Sequence, residues 1–140
     1  MSSDFTLVTT IAAPFSQAVG IVRAALADQG FGIISEIDLA GTLKEKIGAD
    51  MPAQVILGAC RPQLAHEAIQ AEPSIATVLP CNVVVRSVDE NSCVVEAFDP
   101  AVMIRISDNE TLKGVADDAR VRLAAALDSI TNPTHEMQEN

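Results

Sequence analysis

Two of the three cysteines in this chain stand where a thiol has chemistry to offer. Cys60 lies in VILGACRPQ, where an apolar run gives way to a helix-like segment headed by Pro62. A thiol beside a helix N-terminus faces unpaired N–H groups and the positive end of the helix dipole, and both favour the thiolate. Arg61 adds a cation. Cys81 opens another apolar run, in VLPCNVVV, directly after Pro80. Two thiols at the ends of neighbouring strands can serve as a redox or sulfur-transfer couple, with Cys60 the nucleophile and Cys81 its resolving partner. They can equally supply two ligands to a soft metal such as zinc or copper. The plainer reading has each filling core space as a small hydrophobe. Their separation is not that of a C-x-x-C motif. Cys93 alternates with Val95 and Ala97 and reads as packing alone.

Glu36 and Asp38 are two apart on one strand-like segment, hence on one face. Such a pair can share a proton or hold a cation, or simply line the solvated side of an edge strand. Lys44 and Lys46 bracket Glu45 between two glycines and could hold an anion, although lysines are mostly solvated. His66 is a weak candidate metal ligand beside Cys60 and Cys81, because it falls off the apolar stripe of its helix. His135 sits in a polar tail. No phosphate-binding glycine loop, nucleophile elbow or H-E-x-x-H occurs, which removes most support for NTPase, hydrolase and dinucleotide-binding readings.

Positioning these groups falls to elements that alternate along the chain. Residues 5–13 and 31–39 read as strands; in the second, Phe31, Ile33, Ile37 and Leu39 share one face, and Ile34, Glu36 and Asp38 the other. Residues 14–29 read as a helix burying Phe15, Val19, Val22 and Leu26, with Pro14 in its first turn, Gly30 as its stop and Gly20 as a mark of close packing. Residues 41–52 read as a mixed, charged connection with room for one helical turn between two glycines. Residues 54–61 form an interior strand, and 62–72 a helix burying Leu64, Ala65, Ala68 and Ile69. PSIATVL reads as a second short turn or helix leading to Pro80. CNVVVRSV and SCVVEAF flank DENS as a hairpin, and DPAVMIRIS is open between helix and strand. The last helix, capped by Asp108 or Asn109, buries Leu112, Val115, Ala119, Leu123, Ala126 and Ile130.

The expected fold is therefore α+β: a two-layer sandwich with an about five-stranded, mainly antiparallel sheet and helices packed on it. Its first six elements match the split β-α-β pattern of ferredoxin-like folds. The whole chain reads as a single domain, with its core over roughly 5–130 and a polar tail after it.

Composition narrows the partners. Nineteen acidic residues against nine basic give a formal charge of −10, which opposes binding to phosphate backbones and anionic membrane surfaces. There is no Trp or Tyr, the usual anchors of interfaces and base-stacking sites. Neither a secretory leader nor a membrane-spanning run is present, and three cysteines make no disulfide framework. A cytoplasmic protein that binds neither nucleic acid nor membrane is the expectation.

Read together, DQGFGIISEIDLAGTLKEKIG, ILGACRP, AEPSIATVLPCNVVV and FDP resemble the bacterial and archaeal "domain of unknown function 302" family, over roughly residues 5–130. The family's marks fall on Gly30, Glu36, Asp38, Lys44, Lys46, Cys60, Pro62, Pro80, Cys81, Asp99 and Pro100. Arg61 departs from the pattern, since members often carry Asn there. The resemblance implies a compact α+β fold and a homodimer; it implies no reaction and no cofactor. Three functions stay open, in this order: a homodimeric module binding a small ligand through residues among Glu36, Asp38, Lys44, Lys46, Cys60, Arg61 and Cys81; a thiol-dependent redox or sulfur-transfer protein using Cys60 and Cys81; and a zinc- or copper-binding protein.

Overall fold

The computed structural model describes residues 4–131. Five strands, β1 (Thr6–Ile11), β2 (Gly32–Asp38), β3 (Gln54–Cys60), β4 (Cys81–Asp89) and β5 (Ser92–Phe98), form one sheet in the order β1-β5-β4-β3-β2. Every neighbouring pair is antiparallel. Five helices complete the described residues: α1 (Phe15–Asp28), α2 (Leu39–Ile47), α3 (Pro62–Ala71), α4 (Ala101–Ile106) and α5 (Glu110–Thr131), with a 3-10 turn over Pro73–Val78. This is the expected α+β class. Thr131, the first residue of the expected polar tail, ends α5; the rest of the tail, with His135, lies outside the described residues.

Side chains of a strand alternate between faces, and burial here follows that period. Val55, Leu57 and Ala59 of β3, Cys81, Val83 and Val85 of β4, and Cys93, Val95 and Ala97 of β5 are all buried. Between them, Ile56, Val84, Val94 and Glu96 are only half-buried, so they mark a second face. The first face meets Ala18, Val22 and Leu26 of α1, and the stripe Leu112, Val115, Ala119, Leu123, Ala126 and Ile130 of α5. Fully burying each large aliphatic of that set contributes about 1.5–3 kcal/mol.

The split β-α-β pattern does not form. In it, the strands joined by the crossover helix flank a single strand; here β1 and β2 are the two edges, with three strands between them. The hairpin explains the difference. β5 returns to pair with β1, matching Ile11 to Cys93 and Leu7 to Ala97 on the buried face, so α1 must cross the whole sheet and touches β5, β4 and β2.

Three further expectations change. A bulge at Ile34 shifts the β2–β3 register, and one extra residue reverses the facing of everything after it. Ile33 thus sits opposite buried Ala59, whereas Ile37 sits opposite half-buried Ile56 on the second face. Residues 39–47 form a helix instead of a loop, because the Asp38 carboxylate accepts the Gly41 N–H and caps it. Leu39 therefore starts a helix instead of ending a strand. Gly20 faces open space, so it marks no close packing.

Gly30, at φ +87°, closes α1 as expected: its N–H reaches the Ala27 carbonyl and that of Phe31 reaches Leu26, a Schellman stop. Residues 101–106 are helical, with Asp99 accepting the Ala101 N–H. Asn109 is the cap of α5, accepting from Leu112 N–H while its amide donates to the Ala71 carbonyl at the end of α3. That bond ties together the two helices that enclose the candidate site.

Candidate functional site

At one end of the sheet the two layers leave a gap. β3 ends at Cys60, the chain turns through Arg61 into α3, and β4 begins beside it, with Ala59 paired to Cys81. Between these strand ends, α3, α4 and α5 lies a cavity of about 240 Å³. Its floor is Phe31, Ala59 and Cys81. Leu64, Ala65, Ala68 and Ile69 of α3 form one wall, and Met103 of α4 with Val115, Ala116 and Ala119 of α5 form the other. Leu79 and Pro80, joined by a cis peptide bond, complete it. Ile34 and Ile69 are the exposed lining side chains, at 64 % and 39 %, and they mark the opening.

The lining is apolar except for Arg61 and the two thiols. Arg61 Nε is buried and has no hydrogen-bond partner among the described residues. It lies against Gly30, where an added Cβ would come within 3.0 Å of that nitrogen. No side chain caps α3 either, and Pro62 at its start has no N–H to give.

Cys60 and Cys81 are both free and share this cavity. Burial, and then the proximity of Cys60, push the Cys81 thiol up to about 11. Cys81 is therefore protonated at neutral pH, the behaviour of a packed thiol and not of an activated one. Cys93 is fully buried, and its Sγ donates to the Ala13 carbonyl at 3.6 Å. His66 is exposed on α3 and does not line the cavity. Among the described residues no group of three or more His, Cys, Asp or Glu is placed to hold a metal ion.

The acidic candidates lie elsewhere. Glu36 and Asp38 do share a face of β2, opposite Leu57 and Val55, at the sheet edge under α1. There Glu36 pairs with Arg23, Asp38 caps α2, and Lys44 pairs with Asp50 at 2.7 Å. The three line a broad polar hollow with Phe15, Val19 and Met51, while Lys46 is exposed outside it. The structure thus separates the sequence candidates into two groups: Cys60, Arg61 and Cys81 around the apolar cavity, and Glu36, Asp38 and Lys44 around the hollow.

The family model for "Domain of unknown function DUF302" matches residues 7–130. The chain is a DUF302 protein. A crystal structure of an uncharacterized conserved DUF302 protein from Bacillus stearothermophilus superimposes with a TM-score of 0.82 at 26 % identity, over 91 % of this chain and 99 % of that one. No curated protein sequence matches significantly. Among the described residues of this DUF302 protein, no helix is long and apolar enough to cross a membrane.

Residue-type reasoning passed over most of the cavity wall. Ala65, Ala68 and Ala119 read as core positions and Ala116 is not singled out, yet it is the small size of all four that leaves the space. The available signal was the density of alanine on two helices that must both meet the sheet, which predicts thin walls but not where they fail to touch.

Proposed function

We propose that this DUF302 protein is a homodimeric module that binds a small ligand in the cavity between α3, α5 and the Cys60 end of the sheet. The observation that carries the reading is the cavity itself: about 240 Å³, walled by both layers, open beside Ile34 and Ile69, and almost wholly apolar. An engineered cavity of about 150 Å³ with a similar lining takes up benzene, and pockets for drug-sized molecules start near 300 Å³. The occupant is therefore small, on the order of eight heavy atoms at about 30 Å³ each. Binding ranks above catalysis because no His, Asp or Glu lines the cavity, so no side chain there is suited to act as a general base.

The test uses 1-octanol as the probe. Saturable methyl shifts at Met103, Val115 and Leu64 are expected in NMR titrations, and Ala119→Phe, which fills the space, is expected to abolish them. Shifts scattered over the surface, or unaffected by Ala119→Phe, would count against the reading.

The homodimer half of the proposal rests on the second sheet face. There Val8, Val84, Ile56 and Ile37 run in register across the strands. Glu96 lies within this row, between Val8 and Val84; it is neutralised by Arg86 at 2.8 Å and accepts from Thr6, so the face carries little net charge to desolvate. Sedimentation equilibrium is expected to give a dimer, and Val84→Lys a folded monomer. A monomeric parent protein would remove this half of the proposal.

A thiol-dependent activity is the second reading, favoured by the shared position of Cys60 and Cys81 in one cavity. Metal binding stands third.

A further inference from the structure

The cavity has one charged group, and that group is unusual for this chain. All nine basic residues are among the described ones. Arg23, Lys44, Arg86, Lys113, Arg120 and Arg122 each pair with a carboxylate, and Arg105 donates to the Asp4 carbonyl. Lys46 is solvated. Arg61 alone is half-buried with no acceptor among the described residues for any of its nitrogens, in a protein with nineteen acidic residues to choose from. A buried donor without a partner costs about 1–3 kcal/mol, more when it belongs to a charged group. Its stem is held in place over Gly30, so the guanidinium is positioned by packing and not by an ion pair.

We infer that Arg61 receives the head group of an anionic ligand, and that the cavity takes small monocarboxylates whose apolar tail has roughly eight heavy atoms. The inference rests on the binding reading above and adds the ligand's polarity to it. Three features converge on it. The tail would meet a lining whose side chains are apolar apart from Arg61 and the two thiols. The head would pair with the terminal nitrogens of the Arg61 guanidinium, since Nε is packed against Gly30, through charge-assisted bonds for which guanidinium and carboxylate are geometrically matched. The uncapped start of α3, immediately after Arg61, adds the favourable end of a helix dipole to the same place. A phosphate monoester would present two charges to one arginine against a surface of net charge −10, which makes a single carboxylate the better match.

Calorimetric titration of the full chain with octanoate and with 1-octanol separates head from tail. Octanoate is expected to bind about tenfold more tightly than 1-octanol, and the preference is expected to vanish in Arg61→Met, which keeps the stem over Gly30. Arg61→Lys should retain part of the preference. Thermal unfolding of both variants checks that the fold is intact. Equal affinity for the two probes, or a preference that survives Arg61→Met, overturns the inference and leaves the cavity reading standing. Binding of neither probe overturns both.

Discussion

Gly58→Ala is expected to lower unfolding stability by about 1–3 kcal/mol, the usual cost of forcing an extra methyl group into a packed site. Gly58 lies in β3 between β2 and β4, opposite Ser35 on one side and Asn82 on the other. A Cβ at this position would collide with Ser35 Oγ and approach Pro80 Cγ at 2.8 Å. Ser35 can rotate away, whereas Pro80 is a ring at the start of β4 that also lines the cavity. The double variant Gly58→Ala with Ser35→Gly removes the first collision and leaves the second. It is expected to recover only part of the loss in urea unfolding. Full recovery would mean that Pro80 yields freely, and that the cavity end of the sheet is softer than its packing implies. Because Pro80 is part of the lining, the single variant is also expected to weaken binding of 1-octanol, a linkage that a purely structural defect elsewhere in the sheet would not produce.

Much of this architecture was legible in the sequence, for reasons that can be stated element by element. α5 carries a sustained 3.6-residue stripe, and β3, β4 and β5 carry either continuous apolar runs or strict alternation, so local pattern and tertiary burial agree. α2 was missed because its start depends on Asp38 folding back onto the Gly41 N–H, which no periodicity announces in a charged nine-residue segment. The facing of Ile37 was missed because a bulge at Ile34 is a property of pairing and not of β2 alone. The same limit applies to strand order. The pairing of β1 with β5 joins residues some ninety positions apart, and alternation says that a strand has an apolar face without saying which strand it meets. For the candidate site, residue type found Cys60, Arg61 and Cys81, and the carboxylates of β2 were legible as a pair. Their consumption by Arg23 and the α2 cap was not. A cavity is a mismatch between elements, so it appears only once α3 and α5 are docked.

The second large effect concerns Cys81 and decides between packing and chemistry at that thiol. Burial and the neighbouring Cys60 hold its folded pKa at about 11, against about 8.5 in an unfolded chain. Between those values the folded protein keeps a proton that the unfolded chain releases. Stability is therefore fully present below about pH 8.5 and falls as pH rises toward 11. Cys81 is 6 % exposed, so little solvent screening applies, and the gap corresponds to a loss on the order of 3 kcal/mol. Cys93 adds a slope of the same sign, since its burial also raises its pKa. With no Tyr in the chain, cysteine and lysine groups dominate the alkaline range. Urea unfolding from pH 7 to 11 is expected to show this decline in the parent protein and a shallower one in Cys81→Ala. Slopes are the quantity to compare, because removing a buried sulfur also costs roughly 1 kcal/mol at every pH. A Cys81→Ala protein with the parent's pH dependence would mean that the fold accommodates the thiolate. That outcome would move the thiol-dependent reading ahead of simple binding, since a resolving cysteine must reach its anion in the folded state. The expected outcome instead leaves Cys81 as part of the cavity floor.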